Sequence, residues 1–383
     1  MQKIHELIKK LCPNGVKYKN IQELCKISRG KVMSKDFIKA NAGEYPVYSS
    51  QTENNGELGR ISTYDFDGEY LTWTTDGANA GSVFYRKGKF SVTNVCGLLE
   101  IKSKVMITKF LYYVLSIEAP KYVNAGMGNP KLMSNVMAKI RVAVPPLEVQ
   151  CEIVHILDDF TLLSAELSAE LKARKRQYEY YKNKIFNNKN VKYMRLEEIG
   201  QVKMCKRILK KQTNSISGIP FYKIGTFGKE PDAYISEETY KDYLKKYNHP
   251  KKGDILISCA GTIGRTVVYD GKPAYFQDSN IVWLEHDESI VLNKYLLYSY
   301  SLNPWNISNG GTIARLYNDN ILKAVIPVPT IEDQIKIIKV LDNFDKICNS
   351  LMDGLPAEIE ARQKQYEYYR DKLLTFKELK VNE

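Results

Sequence analysis

No apolar run in the chain approaches the roughly 18 residues needed to cross a bilayer, so no membrane-spanning helix is expected. The opening Met1-Gln2-Lys3-Ile4-His5-Glu6 lacks the charged-then-apolar layout of a secretory leader. Four scattered histidines leave little material for a histidine-based metal site. The seven cysteines are odd in number and never form Cys-x-x-Cys. That pattern speaks against both a disulfide framework and a zinc ribbon, and it fits the reducing cytoplasm. A Gly-x-x-x-x-Gly-Lys-Ser/Thr phosphate loop does not occur, so ATP-driven work has no seat in this chain. Asn303-Pro304-Trp305 echoes only part of an amino-methyltransferase motif and reads as a turn. Gly261-Thr262-Ile263-Gly264 lacks the strand–helix context of a dinucleotide loop.

What is present is length, positive charge and repetition. The 383 residues carry 56 Lys and Arg against 44 Asp and Glu, net +12. That length suits two or three domains, and that balance suits a polyanionic partner. The chain is also written twice. Ala173-Arg174-Lys175-Arg176-Gln177-Tyr178-Glu179-Tyr180-Tyr181-Lys182-Asn183-Lys184-Ile185 returns from Ala361 to Leu373 with eight of 13 positions identical. Val144-Pro145-Pro146-Leu147-Glu148-Val149-Gln150 returns as Val328-Pro329-Thr330-Ile331-Glu332-Asp333-Gln334, and Val16-Lys17-Tyr18 as Val191-Lys192-Tyr193.

Each copy joins a Gly-, Asn- and Thr-rich region with short strand-like runs to a helix introduced by prolines, which end a strand and are tolerated at a helix start. The boundaries fall as 1–145, first globular domain; 146–190, first helix; 191–328, second globular domain; and 329–378, second helix. In the first helix Ile153, Leu157, Phe160, Leu167, Leu171, Tyr178 and Tyr181 lie on one heptad line. In the second, Ile337, Leu341, Phe344 and Leu351 begin the line, which slips by four residues before Tyr366 and Tyr369. Gly354-Leu355-Pro356 sits on the slip and predicts a kink near 354–356. A 3.5-residue period is what a left-handed seam requires. About 36 helical residues make a rod of about 54 Å. The fold expected is α+β: two mixed α/β domains in a pseudo-two-fold repeat, joined by two long helices forming an antiparallel coiled coil.

The charge divides unevenly. Residues 1–145 hold 21 basic and 12 acidic groups (net +9), and residues 191–328 hold 19 and 14 (net +5). The helical regions 146–190 and 329–383 carry 0 and −2. A merely lysine-rich surface would spread over the helices as well, so the excess points to DNA phosphates met by the globular domains.

On these residues the chain resembles the specificity subunit (S, HsdS) of a type I restriction–modification system. The resemblance rests on the Pro-Pro-Leu-Glu-x-Gln segment at 145–150, on Leu157-Asp158-x-Phe160 and on the doubled Ala-Arg-x-x-Gln-Tyr-Glu-Tyr-Tyr helices. Leu11-Cys12-Pro13-Asn14-Gly15-Val16 and the stretch from Gly354 to Arg362 add to it. It covers essentially the whole chain. It implies two target-recognition domains, each reading one half of a bipartite, asymmetric duplex DNA sequence, and helices that set their spacing and dock two methyltransferase subunits. S-adenosylmethionine, ATP and Mg²⁺ would then belong to the methyltransferase and restriction (motor) subunits of the complex, with no catalytic motif, metal site or cofactor in this chain.

Loops after strands, rich in Ser, Thr, Asn and Arg, are where base-edge contacts arise. In the first domain the candidates are Ser49, Ser50, Arg60, Thr74, Thr75, Asn79, Asn129 and Lys131. In the second they are Lys223, Thr226, Ser258, Thr262, Arg265, Asn280, Thr312 and Arg315. For Arg315, a guanine contact would concentrate about 1–3 kcal/mol at one base position, whereas uniform weakening would mark a phosphate contact. Tyr180 and Tyr368 fall off the heptad line and, being repeated, are candidates for partner docking. The competing reading is a stand-alone Mg²⁺-dependent endonuclease built on Asp76, Glu100 and Lys102, whose two carboxylates and lysine would hold the metal and orient a water.

Overall fold

The computed structural model describes residues 2–124, 126, 128–306 and 314–379. The first globular domain opens with helix α1 (Gln2–Leu11), strand β1 (Lys17–Asn20), α2 (Ile21–Leu24) and β2 (Cys25–Arg29). It continues through α3 (Lys35–Ala40), β3 (Ala42–Tyr48), β4 (Glu57–Ile61), β5 (Phe66–Thr74), β6 (Val83–Val92) and β7 (Cys96–Ile101). It closes with α4 (Thr108–Glu118), α5 (Ser134–Met137) and β8 (Arg141–Val144), and the long helix α6 (Leu147–Phe186) follows.

The second domain repeats this plan. It holds β9 (Tyr193–Arg195), α7 (Leu196–Ile199), β10 (Gly200–Lys203), β11 (Thr213–Asn214), β12 (Ile219–Tyr222), β13 (Tyr234–Ile235) and α8 (Glu237–Lys246). Then come β14 (Ile255–Ser258), β15 (Thr266–Val268), β16 (Tyr275–Phe276), β17 (Ile281–His286), α9 (Asn293–Tyr300), α10 (Asn318–Leu322) and β18 (Val325–Pro327). Helices α11 (Ile331–Asn349) and α12 (Leu355–Leu374) end the chain's regular structure.

The repeat is visible in the sheets. Strand order β2-β7-β5-β6 in the first domain matches β10-β17-β14-β15 in the second. Outside that shared core the two diverge. The ten-residue β6 continues unbroken to pair in parallel with β3. In the second domain its place is taken by short β15 and β16, and β16 pairs in parallel with β12. The second domain also inserts α8, capped by the Ser236 hydroxyl, which accepts from the Thr239 N–H at 3.1 Å. Each domain is tied off at its base by a two-stranded antiparallel ladder between its first and last strands, β1 with β8 and β9 with β18.

Helix α6 runs 40 residues because nothing in it stops a helix: its span contains no glycine or proline, and Pro145-Pro146 precede it. On the other side of the repeat the helical region breaks. The Ser350 N–H bonds back to the Lys346 carbonyl and ends α11, and α12 restarts at Leu355 with Pro356 in its first turn. Gly354 fills the corner between them, where a β-carbon would lie 2.4 Å from the Lys346 carbonyl oxygen. The kink therefore sits where the Gly-Leu-Pro triplet lies.

Packing divides the chain into Met1–Ser168 with Ile359–Glu383, and Ala169–Glu358. The division falls within α6 and α12 because each half of α6 packs with its own domain and its own partner helix. Within the first unit Phe160 of α6 meets Tyr369 and Tyr366 of α12 at 5.8 and 6.4 Å between ring centroids. Within the second, Phe344 of α11 meets Tyr178 and Tyr181 of α6, both at 5.9 Å. The helices run antiparallel in both units. In the first, Tyr18, opposite Ala143 just before α6, bonds through its hydroxyl to the carbonyl of Phe376 just after α12, at 2.9 Å. In the second, Tyr193, opposite Pro327 just before α11, bonds to the carbonyl of Phe186 at the end of α6, at 3.3 Å. The C-terminal segment thus does noncovalently for the first domain what the α6–β9 link does covalently for the second.

Candidate nucleic-acid interface

The strand ends of each domain carry the polar loops, and the structure sorts the residues there into two groups. Some hydroxyls are turned inward. Thr74 ends β5, donates to the carbonyl of Asn79 and accepts from the Ser82 N–H at 3.0 Å. Ser258 ends β14 and does the same with the carbonyl of Thr262 and the Arg265 N–H, the latter at 2.9 Å. Ser50 accepts from the Thr75 N–H and donates to the Val95 carbonyl, which the Thr75 hydroxyl also reaches at 2.7 Å. The Ser49 hydroxyl accepts from that of Thr93 at 2.9 Å. Ser49, Ser50, Thr74, Thr75 and Ser258, all candidates for base contacts, close the loops with their hydroxyls, because a hydroxyl beside free backbone groups satisfies them first. Thr74, Thr75 and Ser258 are at most 2% exposed.

Three further candidates, Arg60, Lys223 and Thr226, are also occupied through their side chains. The Arg60 guanidinium makes two bonds to Glu57 and one to the Glu44 carbonyl. Lys223 pairs with Asp232 at 2.9 Å, and the Thr226 hydroxyl is folded back onto the backbone of Lys223. The Asn280 backbone carbonyl accepts from the Cys259 N–H at 2.8 Å, and the residue is half-buried. The outward-facing candidates are Asn79, Asn129 and Lys131 in the first domain and Thr262 and Arg265 in the second, all exposed, with Arg315 half-buried. Asn79 touches the Thr52 hydroxyl and Arg265 the Phe227 carbonyl. Thr312 lies outside the described residues.

The joint between each domain and its helix carries roles that the sequence reading did not assign. Gln150, fully buried in the first turn of α6, accepts from the Ile107 N–H at 2.9 Å and donates to the carbonyls of Val105 and Pro145, both at 2.8 Å. Gln334 in α11 repeats all three bonds, with the Leu292 N–H and the carbonyls of Ile290 and Pro329. Two turns further on, Asp158 accepts from the Tyr113 hydroxyl at 2.6 Å and pairs with Lys109 at 2.7 Å. Asp342 does the same with Tyr298 and Lys294 at the same distances. Burial, reinforced by the adjacent carboxylate, holds both phenols well above the ordinary tyrosine range, so they remain donors at neutral pH. The signal in the sequence was the glutamine that ends both proline-led segments.

Along the helices Ile153, Leu157 and Leu341 are fully buried, whereas Phe160, Leu167, Leu171, Tyr178, Ile337, Phe344, Tyr366 and Tyr369 are partly covered. Tyr181 touches Phe344 and is 40% exposed. Leu351 does not belong to a seam: α11 stops at Asn349, and Leu351 is 76% exposed in the connecting turn. Tyr180 and Tyr368 are matched surface groups, each 61% exposed. Each leans edge-on against the following tyrosine, with Lys184 and Lys372 respectively about one turn beyond.

The nuclease arrangement is not assembled. Glu100 pairs with Lys26 across β2 and β7, and Lys102 donates to the Gln22 carbonyl at 2.7 Å. β5 and β7 run antiparallel with Leu71 opposite Leu99, so Asp76 lies beyond one end of the ladder and Glu100 near the other. At about 3.3 Å per residue the six-residue offset from Tyr70 amounts to about 20 Å. Among the described residues no group of three or more His, Cys, Asp and Glu side chains is placed to hold a metal ion.

Two domains of one core topology, each fastened to a helix by the same five side-chain contacts and differing in their loops, define a duplicated scaffold. The chain belongs to the family described as type I restriction modification DNA specificity domain, matching it over residues 13–174 and again over 188–361. It is 43% identical over 374 residues to a putative type I restriction enzyme specificity subunit of Haemophilus influenzae, covering 94% of this chain and 96% of that one. A putative type I specificity subunit of Mycoplasma pneumoniae is 35% identical over 367 residues, covering 92% and 96%. The crystal structure of a type I restriction–modification S subunit from M. genitalium shares the fold with a TM-score of 0.58 at 14% identity, over 94% of this chain and 96% of that one.

Replacing Gln150 by Ala strips three backbone groups of their partner, the Pro145 carbonyl among them in a buried bond, and leaving a buried group unsatisfied costs about 1–3 kcal/mol. Urea unfolding of the purified chain is expected to show a loss of at least that size, with the exposed Gln363→Ala within about 0.5 kcal/mol of the parent. A Gln150→Ala variant as stable as the parent would show that the joint is not held this way.

Proposed function

We propose that each globular domain reads one half of a bipartite, asymmetric duplex DNA target, while the helices set the gap between the halves and dock two methyltransferase subunits. The observation that carries this reading is the repeated joint. Gln150 with Asp158 and Gln334 with Asp342 fasten unlike loops to helices in the same way. A homodimeric reader uses identical halves on a palindrome. Here one chain supplies two unlike readers on one repeated frame, which calls for an asymmetric target. The net charges of +9 and +5 on the domains, against 0 and −2 on the helices, favour the domains as the DNA-contacting parts.

In this reading the chain is a non-catalytic subunit of the cytoplasm. Methyl transfer with S-adenosylmethionine, and ATP- and Mg²⁺-dependent restriction, belong to the methyltransferase and motor subunits that assemble on it. Tyr180 and Tyr368, exposed alike and flanked by matching lysines, form two equivalent docking patches for the methyltransferase subunits. The double variant Tyr180→Ala/Tyr368→Ala is expected to lose co-purifying methyltransferase while keeping its own melting temperature. Undiminished co-purification would remove these tyrosines from the docking surface.

The spacer itself offers a direct test. Ser164-Ala165-Glu166-Leu167 is followed at once by the same four residues, Ser168-Ala169-Glu170-Leu171, in the middle of α6. Deleting one set shortens the helix by about 6 Å, close to two base-pair steps at about 3.4 Å each. Target selection by the reconstituted complex is then expected to return the same half-sites with a gap shorter by about one or two base pairs. An unchanged gap would refute the helices as the ruler.

A further inference from the structure

Two domains that read different half-sites must differ where they touch the bases that differ. What they hold in common at the interface suits contacts that every sequence offers. The loop ends supply such a comparison. Thr74 and Ser258 close equivalent loops, and at those loops the two domains diverge. Asn79 in one stands where Thr262 stands in the other, and Ser82 where Arg265 stands.

One pair keeps its charge. Lys131 and Arg315 each precede a buried leucine, Leu132 and Leu316, which are 0% and 1% exposed. The Leu132 N–H donates to the Thr75 carbonyl at 2.9 Å, and the Leu316 N–H to the Cys259 carbonyl at 2.9 Å. Thr75 and Cys259 are the residues immediately after the loop-closing hydroxyls. The short helices α5 and α10 begin three residues after the basic side chain in both domains. A cation is thus pinned by its backbone at the same point beside the same loop, twice.

Several basic groups in the domains are neutralised by a carboxylate. Arg60 is paired with Glu57, Lys223 with Asp232, Arg207 with Asp278 and Lys203 with Glu285. Among the described residues no ion pair engages Lys131 or Arg315. Among the described residues Arg315 makes one hydrogen bond, from Nη2 to the Ser279 carbonyl at 3.0 Å, out of the five N–H donors of a guanidinium.

We propose that Lys131 and Arg315 are matched phosphate anchors, one per domain, which set the register of each domain on the duplex without reading sequence. This rests on the reading that both domains bind duplex DNA. Phosphate contacts position a protein and carry no direct sequence information, so a Lys in one copy and an Arg in the other serve equally. It replaces the guanine contact considered for Arg315. Discrimination is left to the positions that diverge.

The test uses the full chain reconstituted with its methyltransferase subunits and a pool of randomised duplexes as the probe. The sequence motif selected by each variant and the salt dependence of binding to the parent motif are read together. Lys131→Ala and Arg315→Ala are each expected to select the parent motif, to bind it more weakly, and to reduce the slope of log K against log salt by about 0.9. The exchanges Lys131→Arg and Arg315→Lys should restore both affinity and slope, which a packing defect would not do. Loss of preference at a single base position in either alanine variant would overturn the proposal, as would an unchanged slope. A parent complex that selects no motif at all would instead overturn the underlying reading of DNA recognition.

Discussion

A glutamine amide buried at the head of each spacer helix bonds three backbone groups: one carbonyl just before its own helix, and an N–H and a carbonyl at the start of the domain's packing helix. Alone, this contact would leave the domain free to swing about one point. Asp158 and Asp342 supply the second point, eight residues further along, or about 12 Å. Two attachment points fix a direction as well as a position. A ruler that did not fix the angle of its readers would measure nothing, so the spacing role we propose would depend on this joint before it depended on helix length.

The joint also explains how the two copies can share a frame and diverge in what they present. The elements that meet the helices, α4 with β8 and α9 with β18, repeat closely, as do the ladders that tie off each domain. Variation gathers at the other side of the sheet, where β6 is continuous in one domain and replaced by β15 and β16 in the other, and where only the second domain has α8. The Thr74 and Ser258 hydroxyls close equivalent loops whose other residues differ, Asn79 and Ser82 against Thr262 and Arg265.

Much of this frame was legible in the sequence. The repeated Ala-Arg-x-x-Gln-Tyr-Glu-Tyr-Tyr segment, the heptad line and the Gly354-Leu355-Pro356 break are local patterns with direct physical meaning, and α6, α11 and α12 follow them. Leu351 was misplaced because a heptad was extended past the point where Ser350 ends the helix. For Ser49, Ser50, Thr74, Thr75 and Ser258 a hydroxyl at a strand end suits a base edge and a backbone turn equally well, and only the neighbouring N–H and carbonyl groups reveal the loop-closing bonds. The roles of Gln150 and Asp158 could not be read at all, since their partners lie about 45 residues away along the chain.

We propose that one chain carries two unlike readers, one for each half of the target. Mapping methylated adenines across the source genome, by sequencing that detects the modified base, tests it most directly. The account predicts one bipartite motif with unlike halves and a constant unspecified gap, methylated on both strands and lost when this chain is deleted. A palindromic or contiguous motif depending on this chain, or a bipartite one that survives its deletion, would contradict it.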